Sequence, residues 1–161
     1  MLTPASQSNL PTIINLAKEI WNGHYISIIG QQQVDYMLEK MYSIAALQKQ
    51  MEDGHCFYLI KPEEEIIGFV SVSISANEEA LTLHKIYIKT EAQGNGYGSD
   101  LLEEIFDLYP KASSISLTVN RQNFKSINFY FKNGFTILAV ADFDIGGGYL
   151  MNDFIMVRWI G

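Results

Sequence analysis

The sequence contains a single cysteine, Cys56, among 161 residues, so it cannot form an internal disulfide bond. Cys56 lies in the apolar run HCFYLI, which predicts a small buried side chain in a reducing compartment. The N-terminal segment MLTPASQSNL lacks the basic start and apolar stretch of a signal peptide, and no run reaches the length of a membrane span. These absences lead us to expect a cytoplasmic protein that has no membrane partner.

Basic residues are also scarce, because 11 lysines and arginines stand against 18 aspartates and glutamates, for a formal net charge of -7 at pH 7. Binding to nucleic acid independently of base sequence needs a basic surface, so the composition argues against a nucleic-acid partner. An acidic balance suits a cationic ligand, but it is more often simply what keeps a protein in solution. Hydrophobic residues make up 48% of the chain, which is typical of a globular protein.

Metal-binding and serine-hydrolase motifs are absent as well. The three histidines, His24, His55 and His84, are scattered, and no two have the i, i+4 spacing of a helical zinc motif. His55 and Cys56 are adjacent, and neighbouring residues in a strand point to opposite faces. No Gly-x-Ser-x-Gly segment is present to hold a nucleophilic serine. We therefore expect no bound metal and no hydrolase triad.

The hydrophobic pattern changes between helical and strand-like periods along the whole chain. Apolar residues recur at helical spacing over residues 7–22 and 31–51, and the second stretch has a break near Ser43. The later pattern predicts strands on either side of the turn 62–65, a strand at 80–89, a helix at 99–109, a strand at 114–120, a helix at 124–133 and two final strands. This order predicts an α/β (α+β) fold, a mixed sheet with helices on both faces. The length fits a single domain, residues 1–161.

The segment QGNGYG, residues 93–98, stands between the strand at 80–89 and the helix at 99–109. A glycine loop that leads from a strand into a helix lets backbone N–H groups cradle an anion such as phosphate. Two common phosphate motifs do not fit, because the dinucleotide motif would need glycine at Ser99 and the P-loop would need lysine after Gly98. A tight turn that merely needs glycine is the alternative at this point.

A second segment indicates which kind of anion loop this is. Gln93, Gly96 and Gly98 fit the pattern Gln/Arg-x-x-Gly-x-Gly, and the segment NFKSINFYFKNGF, residues 123–135, follows after one helix and one strand. Together the two segments resemble the acetyl-CoA site of the GNAT family of N-acetyltransferases. In the second segment the residues in register with the family signature are Asn123, Ser126, Ile127, Tyr130, Lys132, Gly134 and Phe135. The resemblance covers residues 55–160 well and the N-terminal helices loosely.

The resemblance implies a GNAT fold, with a mixed sheet of about six to seven strands, and acetyl-CoA as cosubstrate without a metal. It also implies that the strand before the loop splays from its neighbour and offers backbone groups to pantetheine. Gly94 and Asn95 stand where related enzymes often carry basic residues, so backbone N–H groups would meet most of the phosphate charge. The residues expected to bind the cosubstrate are Ile86, Tyr87, Ile88, Gln93, Gly94, Asn95, Gly96, Tyr97, Gly98, Ser99, Asn123, Tyr130 and Lys132.

Tyr130 and His84 are the residues that the resemblance brings to the chemistry. It implies that the Tyr130 phenol points at the CoA sulfur, and a phenol with a pKa of about 10 is protonated at neutral pH and can donate to a thiolate. His84 stands where related enzymes often carry glutamate, and a histidine ordinarily titrates near neutrality. We expect His84 to remove the proton of the amine, directly or through a water. A core tyrosine and a structural strand histidine are the alternatives.

The acceptor site of the family lies between the first helices and the last hairpin. The residues expected to bind the acceptor are Trp21, His24, Tyr25 and His84, and three aspartates flank the hairpin: Asp142, Asp144 and Asp153. Aromatic rings and carboxylates suit an ammonium group. The sequence looks most like bacterial diamine and polyamine acetyltransferases, so we expect a small primary amine, with a polyamine as the leading candidate.

Other functions remain open at this stage. The acceptor could be a peptide or protein N-terminus, an aminoglycoside or an amino acid. The chain could also be a non-catalytic acetyl-CoA-binding sensor or scaffold, or a nucleotide-binding regulator that ATP or NAD would protect. An edge strand and an exposed final hairpin would allow a homodimer.

Overall fold

The computed structural model describes residues 1–160, so the last residue of the predicted domain lies outside the described part. The helices are α1 (Leu10–His24), α2 (Ile26–Ile29), α3 (Gln31–Met41), α4 (Ile44–Glu52), α5 (Tyr97–Leu108) and α6 (Phe124–Lys132). The strands are β1 (Leu2–Pro4), β2 (Cys56–Ile60), β3 (Gly68–Ile74), β4 (Ala80–Ile88), β5 (Ser114–Asn120), β6 (Thr136–Gly146) and β7 (Tyr149–Trp159). Within residues 1–160, no helix combines the length and the apolar character needed to cross a membrane.

The seven strands form one mixed sheet in the order β1-β2-β3-β4-β5-β7-β6. Neighbouring strands are antiparallel except β4 and β5, which are parallel and are joined by the crossover helix α5. Because β5 precedes β7 in the sheet order, the final hairpin of β6 and β7 lies beside β5, and β6 forms the edge. The predicted mixed α/β sheet is confirmed.

Each face of the sheet is covered by its own group of helices. On one face, α1 packs residues such as Ile13 and Trp21 against Phe57 and Phe69 of β2 and β3. On the other face, α5 and α6 pack against β4, β5 and β7, with Leu102 among the fully buried side chains. The helices on the two faces bury both apolar surfaces of the sheet. This is the packing that the order of helical and strand-like segments in the sequence predicts.

Most of the predicted elements appear close to their predicted bounds. The break near Ser43 is confirmed, since the Ser43 side chain caps α4 by accepting a hydrogen bond from the Ala46 backbone at 3.1 Å. Three details differ from the predictions. Strand β1 and the short helix α2 were not predicted, and Cys56, expected to be buried, is exposed. Cys56 alternates with the buried Phe57 at the start of β2, so it points away from the core.

Candidate active site

The sheet opens between its two parallel strands. Pairing of β4 with β5 covers only residues 80–82 and 114–116, whereas β4 stays paired with β3 up to Ile88 and β5 stays paired with β7 up to Asn120. A cavity of about 330 Å³ lies at this opening and is lined by residues 83–88 and 117–120. Backbone groups on the facing edges of the two strands have no ladder partner there. Apart from the carbonyls of Ile88 and Asn120, which accept hydrogen bonds from Gln93 and Asn123, they are available to a ligand.

The glycine loop lies beside this opening and leads into α5. Gly94 and Gly96 have φ angles of +82° and +78°, a left-handed conformation that favours glycine. Gly96 is the N-cap of α5, and no side chain caps this helix. The first N–H groups of α5 therefore have neither an intrahelical partner nor a side-chain acceptor, which is the arrangement that binds anions.

Gln93 and Gly98 join the loop to its surroundings. The Gln93 amide nitrogen donates to the Ile88 carbonyl at 2.9 Å, and its oxygen accepts a hydrogen bond from the Lys125 ammonium of α6. A Cβ at Gly98 would lie 2.8 Å from two ring atoms of Phe129, so glycine lets α5 and α6 approach closely. Together these contacts hold the end of β4, the loop and α6 in one arrangement, and Lys125 adds a cation beside the loop.

Helix α6 brings two of the predicted residues into the cavity wall. Asn123 caps the helix, since its side-chain oxygen accepts a hydrogen bond from the Ser126 backbone at 3.3 Å, and its amide donates to the Tyr25 hydroxyl at 3.5 Å. Tyr130 lies two turns further on and also lines the cavity. Burial raises the pKa of the Tyr130 phenol above its usual value, and the neighbouring Tyr25 adds to the rise. The Tyr130 phenol is therefore protonated at neutral pH.

His84 lines the cavity, but its environment differs from the one expected. Ser71 pairs with Lys85 and Val72 pairs with Leu83, so His84 is the extra residue of a β-bulge in β4. Its ring stacks on His55 at 3.9 Å, and its Nε2 lies 2.7 Å from the Ser73 hydroxyl oxygen.

The titration of His84 corrects the sequence-based expectation. Burial, and then the neighbouring His55 and Lys85, lower the pKa of His84 to about 4. The expectation of a histidine that titrates near neutrality is therefore wrong, because neutral imidazole is favoured far below pH 7. His84 is unprotonated at neutral pH, but it is a weaker base than an ordinary histidine. Its role as the base stays a prediction.

The predicted acceptor residues divide into two groups. His24 and Tyr25, at the end of α1, line the cavity. Trp21 does not, because it is 3% exposed and packs behind Tyr25 and Tyr87, at ring-centroid distances of 4.5 and 5.9 Å. Burial raises the pKa of Tyr25 to about 12, so Tyr25 is a neutral aromatic wall for a ligand. Trp21 supports that wall from behind.

Asp153 of β7 contributes the carboxylate of the cavity. It is 4% exposed, and its Oδ1 is buried with no hydrogen-bond partner among residues 1–160. Burial raises the pKa of this carboxyl to about 6, while the Thr118 hydroxyl and the Arg121 guanidinium oppose the rise and Asp142 adds to it. The other two aspartates of the hairpin are exposed and do not line the cavity.

Comparison with known proteins identifies the family. Residues 15–135, most of the chain, match the acetyltransferase (GNAT) family. The chain belongs to the GNAT family. A spermidine N(1)-acetyltransferase from Thermoplasma acidophilum is 28% identical over 139 residues, which cover 82% of this chain and 85% of that protein.

Solved structures of acetyltransferases have the same fold. The PaiA N-acetyltransferase from Thermoplasma acidophilum, solved in complex with coenzyme A, has a TM-score of 0.80 at 27% identity and covers 99% of this chain and 98% of its own. An acetyltransferase from Thermus thermophilus has a TM-score of 0.74 at 18% identity, covering 99% and 96% of the two chains. The GNAT fold predicted from the two motifs is confirmed, and the chain is an acetyl-CoA-dependent N-acetyltransferase.

The chemistry of the opening fits acetyl-CoA. The uncapped N-terminus of α5 and the left-handed Gly94 and Gly96 suit a pyrophosphate, and the Lys125 ammonium can share its charge. The unpaired edges of β4 and β5 suit the amide groups of pantetheine. No group of three or more His, Cys, Asp or Glu that could hold a metal ion is found within residues 1–160.

Several predicted cosubstrate residues do not line the cavity. Asn95 is exposed and donates to the Ala92 carbonyl at 3.1 Å, and Lys132 is exposed at the last position of α6. Tyr97 packs against the core, and Gly96 and Ser99 lie outside the lining. The prediction omitted several residues of the lining, among them Thr118, Lys125 and Phe129. Lys125 and Phe129 both lie within the segment 123–135. They are four residues apart, so helical spacing would have placed them on the same face of the predicted helix.

Proposed function

We propose that this GNAT enzyme acetylates a primary amine of a small molecule, with a polyamine as the leading acceptor. The observation that carries the proposal is that the glycine loop and Tyr130 meet at one opening in the sheet. The name of the Thermoplasma relative, a spermidine N(1)-acetyltransferase, supports a polyamine, and so does an aromatic and carboxylate wall made by Tyr25 and Asp153.

Different residues of the cavity have different roles in direct acetyl transfer. Bound acetyl-CoA supplies the acetyl group as an activated thioester. The α5 N-terminus and Lys125 hold its phosphates, and the backbone of residues 86–88 binds the pantetheine arm and offers an N–H group to the carbonyl oxygen. Tyr130 holds the proton that the departing sulfur requires. Asn123 keeps α6 in place through its cap and orients Tyr25.

The substrate class can be tested by measuring CoA release from acetyl-CoA with a panel of amines. The panel contains spermidine, spermine, putrescine, amino acids and short peptides, each at saturating acetyl-CoA. We expect release that depends on the amine and is greatest with a polyamine. Faster release with peptides would indicate N-terminal acetylation and would replace the polyamine as acceptor.

The same panel can contradict the proposal as a whole. If no amine gives release while acetyl-CoA still raises the Tm, the chain binds the cosubstrate without transferring its acetyl group to a small amine. Protection by ATP or NAD in place of acetyl-CoA would point to a nucleotide ligand.

We also propose that the protein is a homodimer. Strand β6 is an edge strand of 11 residues, and its Leu138 and Val140 side chains are 62% and 61% exposed. A long apolar edge strand is a template for pairing with another strand. We expect light scattering to give the mass of two chains for the wild type, and of one chain for Val140→Lys. A single-chain mass for the wild type contradicts the proposal.

A further inference from the structure

The Asp153 carboxylate has a buried oxygen, Oδ1, that accepts no hydrogen bond from the described part of the chain. It lies in the middle strand of the final three-stranded part of the sheet, paired with Asn120 of β5 and Ala141 of β6. Its neighbours Phe154 and Met156 pack beneath α5 and α6, so alternation turns the Asp153 side chain to the other face, toward Tyr25. A carboxylate oxygen that is buried without a donor is costly, and such groups in native proteins need an explanation.

The charged neighbours of Asp153 leave this oxygen free. Arg121 directs its guanidinium to the Asp153 and Ala141 backbone carbonyls, at 3.2 and 3.4 Å, and to the Asp142 carboxylate at 2.9 Å. The remaining groups that face Asp153 are the Thr118 hydroxyl of β5 and the Tyr25 phenol at the end of α1. No side-chain cation among residues 1–160 pairs with Asp153 within 4 Å.

We propose that Asp153 binds the ammonium group of the acceptor and accepts its proton, so that Asp153 is the catalytic base in place of His84. This inference rests on the proposed acetyl transfer to a small amine. Among the described residues that line the cavity, Asp153 is the one carboxylate, while Lys85 and Lys125 are cationic. An ammonium group in this cavity therefore has a single anionic partner, and the further ammonium groups of a polyamine must lie outside it.

In the proposed step the amine nitrogen loses two protons and gains the acetyl group. The Asp153 carboxylate takes one proton from the ammonium group, which frees the nitrogen lone pair. The lone pair forms the new N–C bond to the acetyl carbonyl carbon as the C–S bond breaks, and the sulfur leaves with the bonding electron pair. Tyr130 donates its proton to the sulfur and is reprotonated by the second proton that the nitrogen loses. The products are the amide and the free thiol, and Asp153 releases its proton to solvent.

The pH dependence of kcat/KM follows from this assignment. The carboxylate must be unprotonated to act, and burial places its pKa at about 6, so kcat/KM should fall by about tenfold per pH unit below pH 6. Because the enzyme takes the ammonium form, kcat/KM should not rise tenfold per pH unit between pH 6.5 and 9, although the amine itself has a pKa near ~10. A smaller change is expected near pH 8, where Lys85 in the cavity wall loses its charge because burial lowers its pKa to about 8. An enzyme that bound only the neutral amine would instead show a rise throughout that range.

The test compares Asp153→Asn with the wild type, using the best amine of the panel. We expect kcat to fall about 100-fold and the decline below pH 6 to disappear, because the amide can neither ionise nor accept the proton. With trifluoroethylamine, a weakly basic amine that is neutral at pH 7, the loss should be much smaller, since no proton has to be removed before attack. Asp107→Asn, which neutralises an exposed carboxylate on α5, controls for charge and should match the wild type.

Three outcomes would overturn the assignment of Asp153. One is an unchanged acid decline in Asp153→Asn together with its loss in His84→Ala, which would return the role to His84. Another is an equal loss of rate with both amines, which would indicate a structural role. The third is a wild-type kcat/KM that rises tenfold per pH unit up to pH 9. The rise in Tm with added acetyl-CoA shows whether Asp153→Asn is folded. A wild type that is inactive toward every amine would contradict the proposed function, which is a different result from the three that contradict the role of Asp153.

Discussion

Replacement of Tyr130 by phenylalanine should lower kcat about 100-fold, with little change in the affinity for acetyl-CoA. The variant keeps the aromatic ring, which packs against Phe129 and Phe135 at centroid distances of 5.3 Å in both pairs. It removes only the hydroxyl group. Because burial raises the phenol pKa, the proton is present throughout the neutral pH range, and its loss removes the donor for the departing sulfur.

Matched measurements separate this chemical effect from a structural one. CoA release gives kcat, and the shift in Tm with added acetyl-CoA gives binding without turnover. Tyr109→Phe is the control, because it also removes a tyrosine hydroxyl, one that lies 3.0 Å from the Tyr58 hydroxyl and away from the cavity. Retention of wild-type kcat by Tyr130→Phe would exclude Tyr130 as the proton donor. An equal loss in Tyr109→Phe would show that the effect comes from stability.

The sequence predicted those parts of the site that depend on local backbone geometry. The loop around Gly96 and the cap at Asn123 are set by residues close together in the chain, so a motif of a few residues is enough to recognise them. The same holds for Tyr130, whose position on α6 follows from the register of the motif. The order of helices and strands was predicted well for the same reason, because hydrophobic periodicity is local.

The remaining parts of the site depend on distant neighbours. The low pKa of His84 results from a bulge that brings it onto His55, and a pattern of strand residues contains no sign of a bulge. Trp21 is an aromatic residue of the kind that lines ligand sites, but the tertiary structure places Tyr25 between it and the cavity. Asp153 was only one of three aspartates near the hairpin until the strand order placed it beside Thr118 and buried it.

The second large effect is expected at Gly68 of β3, where the backbone of β4 comes unusually close. A Cβ at this position would lie 2.0 Å from the Tyr87 carbonyl oxygen, 3.0 Å from the Tyr87 carbonyl carbon and 3.1 Å from the Ile88 Cα. All three are backbone atoms, so no side-chain rotation can relieve the contact. Since Gly68 pairs with Ile88, alanine must push β4 away at the residues that line the opening.

Gly68→Ala should therefore destabilise the fold by about 2 kcal/mol, which corresponds to roughly 4–8 °C in Tm for a domain of this size. It should also raise the KM for acetyl-CoA, because the displaced strand supplies the backbone groups proposed to bind pantetheine. Gly23→Ala is the matched control: a Cβ there meets nothing within 4 Å, and alanine in α1 should stabilise the helix by about 0.5–1 kcal/mol. Thermal unfolding with and without acetyl-CoA measures both effects. Equal Tm values for the two variants would mean that β3 and β4 can separate without cost, whereas a lowered Tm with an unchanged KM would show that the pantetheine contacts lie elsewhere on β4.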